Sequence, residues 1–587
     1  MHATTNEFRA RADFLKKIGV RRTQLVKFTE ADAKPWGLTL GEAYNIHPKN
    51  GSDAERQADY ERQVREIMEK WPHVSSALIL HERGGGPRPL ELWGGKTELD
   101  AKDLARQKKN TADAIWRARI WRKVAPQVRL KFGNSGDSLG LMGDYFRGGV
   151  PLDLIDVIGE ESVGQSMTPE RSTGMAMRNL KDLAESYGCK APIEPCYEWK
   201  SRVRRHFSGN LRKQAAWFAR DALIALAWGA RQLTVNTTSE PANSYFDTCW
   251  GDGAFTREPL CQPFPNIVAT ANLTRMLDCC TFSRLVPTGS KTAYCLEFRG
   301  ADGRYVYACW TARGVVEAAF DSKAKHLAVT DLYGREVRRD PGSSFATAIS
   351  EEPVYLTADG PLASVDATGA RTYPWEEHPE MAKRRTLSAF DSTALCELDV
   401  TTNKFTTLGT KTFKWSRPGA FAFADAKDGG KACLSLTLKP DETATPLTLA
   451  YGFVRLKEPV AVPEEATTIG LDVKGNSSWS KVLFELKDAN GCTWVHTGYA
   501  FQYFDWSDTM SLNYEGWHPL QMMIRPESPA KCASIGSDMG QWRGRKKIAY
   551  PVKITAVGFI CRHWSFDLLN WVRPDSDEIR FRNIFAY

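Results

Sequence analysis

The sequence predicts a multidomain α/β plus all-β chain. Its parts are a (β/α)8 TIM-type barrel, N-terminally incomplete, then a small antiparallel β-sandwich and a C-terminal jelly-roll β-sandwich. Three observations predict this. From residue 7 to about 280, short apolar runs alternate with longer amphipathic segments, as in a parallel sheet covered on both faces. After residue 281 the helical period gives way to alternation, with a hairpin signal at Asp302-Gly303. From about 389 to Tyr587 short strands spaced by turn residues dominate. The corresponding boundaries are 1–280 for the barrel, 281–358 for the sandwich, 359–388 for a linker rich in Pro and charge, and 389–587 for the jelly roll.

Within the first unit, Phe8–Ile18 reads as helix and Val20–Phe28 as strand, followed by helix Ala54–Trp71 and strand Ser75–Glu82. Helix Leu104–Val124 precedes strand Val128–Gly133, and Leu152–Gly159 is the next strand. Helix Pro169–Tyr187, closed by Gly188, leads to the strand in Ala191–Tyr197, and helix Leu211–Trp228, closed by Gly229, leads to strand Arg231–Asn236. Asn266–Leu277 is the last helix. Six strands result, so either two more lie upstream of Met1, completing an eightfold barrel, or the sheet is open; long polar, Gly-rich strand ends favour the barrel. The first residues carry charges where a signal peptide needs an apolar core.

Composition narrows the function classes. A formal charge of +8 spread over 587 residues, with no long basic run, is not the footprint of a nucleic-acid binder. No apolar run reaches membrane-spanning length, so no membrane partner is expected. The 13 cysteines form no CxxC pair or Cys/His cluster, so no metal is expected, and they read as buried thiols with one or two unassignable disulfides. Gly84–Pro87 lacks the Lys-Ser/Thr of a phosphate loop, no other cofactor motif occurs, and no cofactor is expected. Tryptophan is abundant, at 19, and its flat face suits both cores and the apolar faces of sugars.

Candidate chemistry lies at strand ends. Glu82 closes one apolar strand, and Glu194 and Glu198 lie on and just after another, so distant acids can meet at one end of a parallel sheet. Glycosidic-bond cleavage needs such a pair: one acid protonates the leaving oxygen while a carboxylate attacks or activates water. The bland reading of each is a solvated loop charge or a salt bridge. Glu194 and Glu198 are four apart, hence on one strand face, with Pro195 between them marking a strand end or a bulge. Glu198 is preferred as the one nearer the mouth, which leaves Glu194 as a buried acid paired with an arginine.

Two stretches, GCKAPIEPCYEW (Gly188–Trp199) and QAAWFARDALIALAWGARQLTVN (Gln214–Asn236), resemble the later barrel of clan A glycoside hydrolases, nearest to family 39. Lys27–Thr39 is similar to that family's third-strand stretch, and DLYGREV and PVYLTA resemble its accessory sandwich, so the likeness covers roughly residues 7–358. The resemblance implies a nucleophile in a Thr-Glu-aromatic motif, here Tyr197-Glu198-Trp199, and an acid/base preceded by Asn, here His81-Glu82. It implies a retaining glycoside hydrolase with a poly- or oligosaccharide substrate, carboxyls about 5–5.5 Å apart, and an extracellular or periplasmic location. It also implies a subsite tryptophan in Asn243–Phe255, where Trp250 is the candidate; Tyr245 in the same stretch is a further candidate substrate-binding residue.

Asn134 and the pair Glu160-Glu161 also fall at strand ends and are candidate subsite groups, each equally readable as a loop polar residue. Arg202, Arg204 and Arg205, close behind Glu198, suggest an anionic sugar, uronate or sulfated, because guanidinium forks bind such groups at two points. Surface solvation is the plainer account of that run. The C-terminal strands resemble carbohydrate-binding jelly rolls, with Trp479, Trp494, Trp506, Trp517, Trp542, Trp564 and Trp571 available for core or stacking. Two other classes stay open: a non-catalytic glycan-binding protein, and a polysaccharide lyase with Tyr, His or Lys as base.

Overall fold

A computed structural model describes the chain except for residues 1–15, 25–28, 44–45, 82, 88, 94–96, 136–137, 163–167, 198–210, 232, 236–261, 375–378, 402–415, 497–509, 525–532, 535–547 and 574–576. Its first unit is a seven-stranded parallel sheet paired in chain order: β1 (Arg22–Gln24), β2 (Thr39–Ala43), β3 (Ser76–Leu78), β4 (Arg129–Gly133), β5 (Val157–Ser162), β6 (Ile193–Tyr197) and β7 (Thr234–Val235). Sequential parallel pairing through helical crossovers is the topology of a (β/α) barrel. The longer helices are α1 (Asp53–Lys70), α2 (Ala101–Val124), α3 (Ser138–Arg147), α4 (Ala176–Ser186), α5 (Leu211–Ala227) and α6 (Pro265–Leu277). Capping boxes start two of them: Ser52 with Glu55 for α1, and Asp100 with Asp103 for α2. Helix α6, after the last strand, turns back to the first, where Thr274 Oγ1 donates to the Ile18 carbonyl at 2.8 Å. The sheet is therefore curled toward closure.

Three expectations change. The sheet has a seventh strand, β2, where none was expected. The strand expected at Leu152–Gly159 is displaced, because Leu152–Leu154 forms a 3-10 turn after Pro151 and β5 runs to Ser162. The expected linker is not one in its first half: Leu362–Asp366 and Arg371–Thr372 pair with Val315–Ser322 in the sandwich.

Register separates the two faces of the parallel sheet. Leu130, Phe132 and Ile158 point to the helices and belong to one apolar core with Trp71, Trp121 and Tyr145. Their neighbours point inward, and there the face is charged. Lys131 Nζ lies 2.5 Å from Glu42 Oε2, both groups 1–2% exposed. Arg129 Nη1 donates to Glu194 Oε1 at 2.9 Å. Two cations thus meet two anions across β2, β4 and β6, with Lys131, Glu42 and Glu194 buried and Arg129 partly exposed.

The sandwich consists of a six-stranded and a four-stranded antiparallel sheet, and the C-terminal unit of a six-stranded and a seven-stranded, mainly antiparallel sheet around its own core, with a two-stranded sheet beside them. All three units meet in a common apolar cluster that includes Leu223 and Ala269 of the barrel, Leu296 and Trp310 of the sandwich, and Trp479 and Phe566 of the C-terminal unit. At its centre Arg220 grips Glu170 with both fork nitrogens, at 2.9 and 2.6 Å, while Trp310 Nε1 donates to the same carboxylate at 2.7 Å.

Removing one partner of a buried pair strands the other charge. Lys131→Met is expected to destabilise the chain by about 3–5 kcal/mol, read from its denaturant midpoint, with most of the loss recovered in Lys131→Met/Glu42→Leu.

Candidate active site at the strand ends of the barrel

The C-terminal ends of β3, β4, β5 and β6 form one rim of the sheet, where barrel chemistry is built. Glu194 lies below it. The side chain is fully buried on β6, pairs with Gly159 in register, and accepts from Arg129. The chain continues upward through Cys196 and Tyr197; Glu198, Trp199, Arg202, Arg204 and Arg205 lie outside the described residues, as do Glu82, Tyr245 and Trp250.

Three side chains meet at the described part of the rim. His81 follows β3, Asn134 follows β4, and Glu161 ends the inward-facing row of β5. His81 Nε2 stands 3.6 Å from Glu161 Oε2, and Asn134 Nδ2 donates to the same oxygen at 3.4 Å. Asn134 is 2% exposed, and its Oδ1 is buried without a hydrogen-bond partner. The backbone explains its position: Gly133 at φ +90° and Asn134 at φ +62° turn the chain sharply off the strand. Opposite, Gly159 leaves the necessary room, since a Cβ there would come 2.9 Å from the Cβ of Asn134.

Glu160 is corrected by register. It partners Pro195 and shares parity with helix-facing Ile158, whereas Glu161 partners Cys196 on the inner face. The carboxylate that meets His81 and Asn134 is therefore Glu161; alternation along the strand separates the two acids, but only register says which face each uses. Chemically, the cluster offers one carboxylate, one imidazole and an amide carbonyl with an open acceptor, a set that suits hydroxyl groups. Among the described residues no three His, Cys, Asp or Glu side chains gather as a metal site.

The C-terminal tryptophans divide. Trp479 and Trp494 are core; Trp517, Trp564 and Trp571 are half-buried; Trp506 and Trp542 lie outside the described residues. Trp571 is used at a joint, where its Nε1 donates to Asn179 of α4 at 3.2 Å. No helix among the described residues is long and apolar enough to cross a membrane.

No protein-family model matches the chain, and no curated protein does. Among solved structures, it is similar to a family 39 glycoside hydrolase from the gut symbiont Bacteroides cellulosilyticus WH2, at 16% identity and TM-score 0.44, over 61% of this chain and 79% of that one. It is similar to the GH51 arabinofuranosidase of Xanthomonas axonopodis pv. citri at 10% identity and TM-score 0.39, over 61% and 91%. A Bacteroides uniformis beta-glucuronidase aligns over 99% of this chain and 63% of that one, at 12% identity and TM-score 0.35. With every score below 0.5, the functional reading rests on the chain's own residues.

Glu194→Gln is expected to cost about 1–3 kcal/mol of stability by weakening a buried charged hydrogen bond, measured as a shift in the denaturant midpoint.

Proposed function

We propose that the chain is a retaining glycoside hydrolase that cleaves a poly- or oligosaccharide by a two-glutamate double displacement. Glu198 is the nucleophile and Glu82 the acid/base. The observation that carries this reading is the engagement of Glu194 by Arg129. An ion-paired, fully buried carboxylate cannot reach a sugar, so of the two acids in the β6 stretch Glu198 is the one left for chemistry. The strand order supports the partner role of Glu82: β3 and β6 run parallel in one curled sheet, and in the sequence Glu82 comes after β3 and Glu198 after β6.

In the proposed mechanism, Glu82 gives its proton to the departing oxygen while Glu198 attacks the anomeric carbon. Water, deprotonated by Glu82, then displaces Glu198 and restores the starting configuration. Asn134 and the His81–Glu161 pair would hold sugar hydroxyls. Arg202, Arg204 and Arg205 favour an anionic glycan.

A non-catalytic glycan-binding role is the second reading, favoured by the contact of His81 with Glu161, which ties up the imidazole next to Glu82. One experiment separates the two readings. A panel of aryl glycosides should be hydrolysed with retention of anomeric configuration, followed by NMR, and Glu82→Gln should lower turnover by roughly 10²–10⁴-fold for substrates with poor leaving groups. Glu198→Gln should abolish turnover and keep binding, whereas Glu194→Gln should keep turnover within about tenfold of wild type, the range of one perturbed hydrogen bond. Binding without any turnover by the wild-type chain selects the second reading.

A further inference from the structure

The core of the small sandwich holds two thiols set opposite each other. Cys295 lies on the strand Ala293–Gly300 and Cys309 on the strand Tyr305–Thr311, and the two are direct partners in an antiparallel register without a bulge. Both are fully buried free thiols. By contrast, Cys280, Cys396, Cys433 and Cys561 lie opposite Gly300, Leu456, Ala426 and Ala450.

Backbone hydrogen bonds fix the kind of pair. Along an antiparallel ladder, hydrogen-bonded and non-hydrogen-bonded pairs alternate. At the two ends of this hairpin Gly300 N donates to the Arg304 carbonyl at 2.9 Å, and Ala312 N to the Thr292 carbonyl at 2.8 Å. Cys295 and Cys309 stand an odd number of steps from either, which makes them a non-hydrogen-bonded pair. Their outer edges agree: the Cys295 carbonyl accepts from Val286 N at 2.8 Å, and Thr311 N turns outward to the Ser350 carbonyl at 2.9 Å. Such pairs bring Cα atoms to about 4.5 Å with the side chains close, inside the roughly 4.4–6.8 Å that a disulfide spans. Burial first, then a hydrogen bond with the Cys309 thiol, pushes the Cys295 thiol well above its usual range.

Both sulfurs face the sandwich core with Tyr307, Phe320 and Val329, while Tyr294, Leu296, Ala308 and Trp310 face the cluster shared by the three units. A bond between them would tie the strand of Trp310, which reaches Glu170, to its neighbour. We propose that Cys295 and Cys309 form a cross-strand disulfide when the chain folds in oxidising surroundings. The oxidant is a small-molecule disulfide such as oxidised glutathione. One protein thiolate attacks it, forming a mixed disulfide and releasing one glutathione; the second protein thiolate attacks the bound protein sulfur and expels the other. Two protein thiols are oxidised, one glutathione disulfide is reduced, and the two protons end on the glutathiones. Closure belongs to folding, because buried thiols are inert afterwards.

The test uses the full chain, unfolded and reduced, then refolded with oxidised and reduced glutathione; a second sample refolds in dithiothreitol. Remaining thiols are capped with iodoacetamide in denaturant, and the unreduced chain is digested and mapped by mass spectrometry. The glutathione sample should show the Cys295 and Cys309 peptides joined, with capping of both lost in most molecules, and the dithiothreitol sample should show both capped. Cys280 is an internal control: it lies 15 residues before Cys295 and Cys309 lies 14 after, so chain proximity alone favours neither. Cell-free synthesis in the same two buffers repeats the comparison should refolding yield be poor. Capping of both peptides in the glutathione sample, or Cys295 joined to Cys280 or to any other cysteine, overturns the assignment.

Discussion

The paired charges on the inner face of the parallel sheet are the constraint from which the rest follows. A curled sheet must fill its interior, and barrels commonly do so with branched apolar side chains. Here β2, β4 and β6 place Glu42, Lys131, Arg129 and Glu194 there instead. A charge out of water demands a partner: Lys131 and Glu42 are both buried and pair β4 with β2, while half-buried Arg129 reaches buried Glu194 and pairs β4 with β6. The same demand sorts the acids of the molecule. Glu194 is engaged by Arg129, and Glu161, further along the sheet, meets His81 and Asn134 at the rim.

The second constraint acts between units. Helix α5 begins just beyond the rim, and its first turn is held by the sandwich: Arg212 donates twice to Glu352 at 2.7 Å, and Lys213 lies 3.7 Å from Glu351. Deeper in, Arg220 and Glu170 close the joint, with Trp310 reaching across. The C-terminal unit is fastened too. Gly174 has no room for a side chain because the Phe566 ring would lie 2.9 Å from its Cβ, and Glu515 accepts from Ser290 and Arg371 of the sandwich. With one apolar cluster running through all three units, the rim is braced from behind rather than flanked by a tethered module.

Much of this was readable in the sequence because apolar runs mark strands whichever face they use. Val128–Gly133 and the Ala191–Tyr197 strand were placed within a residue or two of the observed β4 and β6. The hairpin at Asp302-Gly303 was equally plain, with Gly303 at φ +86° between its two strands. Strand β2 was missed because TLGEA has almost no hydrophobic signal: its buried face carries Glu42, made tolerable only by Lys131, 89 residues away in the chain. Helix α3 was missed because SLGLMGDYFR, with two glycines, reads as loop, although Leu141, Met142 and Tyr145 bury against the sheet. The choice between Glu160 and Glu161 needed register, and the partner of Glu194 needed the fold, since nothing local to residue 194 names Arg129.

The central claim is that the nucleophile stands at residue 198 and not at the buried acid four positions earlier. The most direct measurement is covalent trapping. The chain is incubated with the 2-deoxy-2-fluoro counterpart, carrying an activated leaving group, of whichever glycoside it turns over, then digested with pepsin and mapped by mass spectrometry. A single added sugar on Glu198 is the result expected. A sugar on Glu194 or on Glu161 would contradict the account.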